Sequence, residues 1–111
     1  MWASIRIYVP ATSLVPVAGL VQELSVKAHA IACNDGSGAT IYLIHPHSAT
    51  DRLRFSQIDG VVFLPHPFSP APISSEALAS FPGLEMRGAS SYDFWSALFK
   101  ANPHPVLDPE A

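Results

Sequence analysis

Two short phrases limit this chain more than anything else in it. Ile41-Tyr42-Leu43-Ile44 runs into His45-Pro46, and Val62-Phe63-Leu64-Pro65 runs into His66-Pro67. Each is a continuous apolar run of strand length, and such runs read as strands buried on both faces. Each stops where a proline, which has no N–H, cannot extend a ladder. Both strands are therefore expected inside a sheet, each with a histidine at its end. The flanking sequences differ, so the phrases do not imply a repeat architecture.

The rest of the chain supplies partners for such a sheet. Ile5-Arg6-Ile7-Tyr8-Val9 alternates with period two and is stopped by Pro10, which predicts a half-buried strand with Arg6 and Tyr8 on its polar side. Leu14, Val17, Ala18, Val21 and Leu24 recur at three- and four-residue steps, with Pro16 in the first turn, and predict a helix over 13–27. Residues 30–33 and 40–44 read as a hairpin around Asn34-Asp35-Gly36-Ser37-Gly38. Arg52-Leu53-Arg54-Phe55-Ser56 alternates again, and Asp59-Gly60 follows as a tight-turn signal. This predicts a further strand over 52–58, placed at an edge because of its charges. Prolines 65, 67, 70 and 72 imply an extended connection. Ser74 or Ser75 then caps a short helix ended by Pro82-Gly83, residues 84–87 read as a last short strand, and Ser90 or Ser91 caps a helix reaching about residue 101.

The expected fold class is α+β: one domain over residues 1–102, with a mostly antiparallel sheet of four to five strands in the order β-α-β-β-β-β-α-(β)-α. The two or three helices are expected on one face of the sheet, and residues 103–111 form a loose tail. Expected core residues include Ile5, Ile7, Leu14, Val17, Val21, Leu24, Leu43, Phe55, Phe63, Trp95 and Leu98. At 111 residues the chain is large enough for one core without metal or disulfide support.

Charge narrows the functional classes. Six Lys and Arg against nine Asp and Glu give a net charge of −3, which argues against nucleic acid, whose phosphates need a basic stripe. No apolar stretch approaches the length of a membrane span. The strand pattern begins at once after Met1-Trp2-Ala3-Ser4, without a basic leader, so a cytoplasmic setting is expected. Cys33 is the only cysteine, which leaves no intramolecular disulfide and no Cys-based zinc site; it reads as a small buried hydrophobe. With 49% hydrophobic and 14% charged residues, the surface is poor in charge and suited to covering by another chain or a second copy.

Two groups of residues are candidates for chemistry. Arg6, Tyr8, Arg52 and Arg54 fall on the polar sides of their predicted strands, and together would make an Arg/Tyr patch of the kind enriched at interface centres. An acidic protein surface or a phosphorylated ligand would fit it; an ordinary solvated sheet face is the alternative. His45, His47, Asp51 and His66 could gather at one end of the sheet and hold a divalent metal or supply a general acid and base. Against that, His-Pro is common turn chemistry, and no metal-binding spacing such as His-Glu-x-x-His is present. The glycine loop joins strand to strand, so it lacks the helix N-terminus of a phosphate loop. No cofactor is implied. The leading expectation is a binding module without catalysis that occupies a partner protein, in the manner of an inhibitor or immunity protein. A small metal-dependent hydrolase is the first alternative, and a homodimeric structural or regulatory domain the second.

Overall fold

The period-two pattern at residues 5–9 becomes the first strand, and Pro10 ends it as expected. In the computed structural model, which describes residues 3–33 and 36–101, the order is β1 (Ile5–Val9), α1 (Leu14–Leu24), β2 (Lys27–Ala32), β3 (Thr40–His45), α2 (Ala49–Ser56), β4 (Val62–Leu64), α3 (Ser75–Ser80) and α4 (Ser91–Ala101). A turn of 3₁₀ helix, Ala11–Ser13, links β1 to α1. The four strands form one sheet in the order β2-β3-β1-β4, with every neighbouring pair antiparallel. Ile7 of β1 sits opposite Tyr42 on one side and Phe63 on the other. The expected α+β class with an antiparallel sheet is what the chain adopts. Its first six regular elements, β-α-β-β-α-β with β1 central, make the ferredoxin-like split β-α-β arrangement.

The helices divide between the two faces of the sheet, contrary to the expectation of one covered face. Ile5, Ile7, Val9 and Ile44 pack with Val17 and Leu20 of α1 and Phe55 of α2. On the opposite face Ile41 and Leu64 pack with Ala77 of α3, Phe81, and Phe94, Trp95 and Leu98 of α4. The physical reason lies in α4: Phe94, Trp95 and Leu98 are all buried, and only the second sheet face has room for so large an apolar stripe. Tyr8 packs edge-on against Phe81, ring centroids 5.1 Å apart, and Arg6 is only 7% exposed.

Two further expectations are corrected. Residues 52–58 are not a strand: α2 starts at Ala49, with Ser48 as N-cap accepting from the Asp51 N–H at 3.2 Å. The Asp59-Gly60 turn does form, with Gly60 at φ 83°, but it joins a helix to β4 instead of two strands. Residues 61–64 accordingly provide an edge strand of three residues, and β1 and β3 are the inner pair. Residues 84–87 are irregular. The tail proposed for 103–111 lies outside the described residues.

Several sequence readings hold in detail. The hairpin of β2 and β3 pairs Ile31 with Ile41 and Ala28 with Ile44. Ser74 caps α3 by accepting from the Ala77 N–H. Ser90 and Asp93 form a reciprocal capping box at α4, each side chain accepting from the other's backbone N–H. Ile5, Ile7, Val17, Leu43, Phe55, Trp95 and Leu98 are buried, whereas Leu14, Val21, Leu24 and Phe63 are half-buried.

Trp95 ties the second layer to the sheet. Its ring is 3% exposed, and its Nε1–H donates to the Pro65 carbonyl at 2.8 Å, just past the end of β4. Trp95→Ala is expected to cost about 3–5 kcal/mol in urea unfolding. A loss below about 1 kcal/mol would show that α4 is not docked as described.

Candidate functional site

The four residues expected to form an Arg/Tyr patch are dispersed. Arg6 and Tyr8 do share a face, but α3 and α4 cover it: Tyr8 packs against the core there, and Arg6 is buried and not without a partner. Arg stems and Tyr rings bury readily under an apolar helix, so alternation alone cannot tell a covered polar face from a wet one. Arg52 and Arg54 ride on α2, which lies on the other side of the sheet. Arg54 is neutralised by Glu23 of α1, 2.5 Å away, in an exposed pair that ties the two helices together. Such a pair contributes at most about 1 kcal/mol.

Arg52 has a different environment. Its guanidinium lies over the Phe63 ring, 4.7 Å from the centroid. Among the described residues it makes no side-chain hydrogen bond or ion pair. The aromatic ring holds the group without neutralising it, which leaves its N–H donors available. Helical spacing then sets the surroundings. Ala49, Arg52, Leu53 and Ser56 fall on one flank of α2, and they form one wall of a cleft of about 740 Å³. The opposite wall comes from Ala3 to Arg6, which lead into and begin β1, and from Phe63 to His66, at and just past the end of β4. Arg6, Arg52 and His66 are the titratable residues lining it, and none of its described lining residues is acidic. In a chain of net charge −3, the exposed Arg52 on a wall without described acidic residues is a local departure from the overall charge. Leu53, 56% exposed, stands on its wall, and Phe68, 77% exposed, packs beside His66 at its rim.

The histidines do not gather. The strands ending at His45 and His66 do run in the same direction, as expected, but β1 lies between them. The His45 ring meets His29 on β2, centroids 6.2 Å apart, while His66 Nδ1 accepts from the Phe68 N–H at 3.1 Å. The His47 ring lies 3.2 Å from the Ser25 carbonyl. Asp51 is turned inward as a structural group: Oδ2 accepts from the His47 N–H at 3.0 Å, in a variant of the capping box displaced by one residue. Among the described residues no three His, Cys, Asp or Glu side chains converge as a metal site would require. Nor is any described helix long and apolar enough to cross a membrane.

The cleft was only partly visible beforehand. Sequence alone separates Arg6 and Arg52, as a patch, from His66, as a metal candidate, and it puts Phe63 in the core and Leu53 on the inward side of a strand. The signal that unites them is Ser48-Ala49-Thr50-Asp51, a capping-box spacing that starts a helix and so brings residues 49, 52, 53 and 56 onto one side. Comparison with known proteins adds no assignment: no family model, curated protein or solved structure matches this chain.

Asp51 serves α2 in this arrangement. Asp51→Ala is expected to lower stability by about 1–2 kcal/mol, because it strips the acceptor from a part-buried backbone N–H and unties the start of α2. Urea denaturation checks this; a change under about 0.5 kcal/mol would mean the carboxylate has no such role.

Proposed function

We propose that this chain is a protein-binding module without catalysis of its own, which acts by occupying a partner through the α2–β4 cleft. The observation that carries the reading is Arg52: it is stacked on Phe63, makes no ion pair among the described residues, and stands in a cleft whose described lining has no carboxylate. A guanidinium so placed is preorganised for a bidentate carboxylate, because little of its rotamer freedom remains to be lost on binding. Leu53 and Phe68 beside it offer apolar contact, and an exposed Arg next to exposed aromatic and aliphatic side chains has the composition of an interface centre. The partner's matching segment would carry an acidic residue flanked by an apolar one. Inhibitors and immunity proteins act by occupying a partner in this way, and a cytoplasmic setting belongs to the same reading.

A random-peptide display selection against the full-length protein tests the reading. The selected peptides are expected to share an acidic residue next to an apolar one. Their affinity should fall with added salt, and Arg52→Glu should weaken it by at least tenfold, or about 1.4 kcal/mol, without altering the unfolding midpoint appreciably. Arg54→Glu, whose parent side chain is already paired with Glu23, should have a smaller effect. Selected peptides without acidic enrichment, or equal binding by the Arg52→Glu protein, would sink the cleft as the binding surface.

A further inference from the structure

The two edges of the sheet are treated unequally. β4 is three residues long, and Pro65 and Pro67 follow it, so it offers little backbone to another strand. β2 is six residues long, contains no proline, and among the described residues pairs only on its β3 side. Its one charge, Lys27, stands at its first position. Lys27, His29, Ala30 and Ala32 are exposed, and no bulge interrupts the register with β3. Natural sheets seldom leave so long an edge without charge, proline or a cover.

A helix flank extends this edge. Glu23 reaches Arg54, which marks the side of α1 turned toward α2. The opposite side, about half a turn round, carries Leu14, Ala18 and Val21 at spacings of four and three. Alternation puts Ala28, Ala30 and Ala32 on the same side of the sheet as α1. The edge of β2 and this flank of α1 together make a corner of small and aliphatic side chains, with Leu14 and Val21 half-buried and Lys27 its one charge.

We propose that this corner is where a second copy of the chain docks, with β2 pairing antiparallel to its counterpart to give one continuous eight-stranded sheet. Self-pairing suits the charges: antiparallel alignment puts the two Lys27 side chains at opposite ends of the junction, and no acidic residue of β2 is needed to balance them. It also suits the faces. A slip of one residue would turn each copy's α1 side toward the other's α4 side, so the register must centre on a residue. The two longest such registers centre on His29 and on Ala30. A two-strand junction alone buries less than the roughly 800 Å² per partner of a stable interface, and the paired α1 flanks supply further apolar area. The junction lies at the edge opposite the α2–β4 cleft, so both clefts of the dimer stay open, and the inference stands independently of the proposed function.

Sedimentation of the full chain over a range of concentrations tests it. A reversible monomer–dimer equilibrium is expected. Ala30→Lys and Ala30→Glu should each weaken it at least tenfold, because either register brings like charges within reach across the junction, and mixing the two variants should restore dimerisation. Hydrogen exchange on the unmutated chain gives a second readout, with amides of residues 27–32 slowing as concentration rises. A chain that stays monomeric at every concentration overturns the proposal, whether or not the edge takes up a foreign strand. So does a dimer indifferent to the Ala30 substitutions, or one that leaves the β2 amides unprotected.

Discussion

The structure depends on β1 burying both of its faces. Ile5, Ile7 and Val9 go to one core, while Arg6 and Tyr8 go under the helices of the other. β1 also pairs on both sides, with β3 and with β4, so its backbone groups have partners in the sheet and its side chains have partners above and below. A strand so enclosed fixes the placement of everything else. α1 and α2 must cross on the Ile face, because split β-α-β connections carry them there, and the aromatic stripe of α4 is left the other.

Much of this was legible in the residues, and what was not has a definite cause. Period two marked β1, period 3.6 marked α1 and α4, and the serine caps marked the starts of α3 and α4, because in those segments local preference and final packing agree. At 52–56 two local signals competed. Arg52-Leu53-Arg54-Phe55-Ser56 alternates as a strand would, while Ser48 and Asp51 announce a helix; the cap prevailed, since it satisfies backbone groups that five alternating residues leave unmet. The same competition moves the site as well, because a strand over 52–58 would share a sheet face with Arg6 and Tyr8, whereas a helix carries Arg52 and Arg54 to the other side. The side on which α4 would dock could not be read locally. It follows from total apolar area on each face, a property of the assembled sheet.

The same helix explains why two arginines only two residues apart differ so much. Positions 52 and 54 are about 200° apart around α2, so one faces α1 and finds Glu23, while the other faces the β4 edge and finds an aromatic ring. An ion pair closes Arg54 off as part of the scaffold. A ring supports Arg52 without satisfying it, and that difference separates a structural cation from one suited to recognition.

The covering of the second sheet face also has a consequence in time. β1 and α4 stand near opposite ends of the described chain, so during synthesis the strand emerges long before the helix that shelters Tyr8, Ile41 and Leu64. The β-α-β-β-α-β portion can close its first core while the nascent chain is still growing, since domains tend to assemble as their segments leave the ribosome. For the interval before Phe94, Trp95 and Leu98 arrive, the sheet presents a sticky, half-finished wall. The proline-rich connection after β4 sets how long that wall waits for its cover.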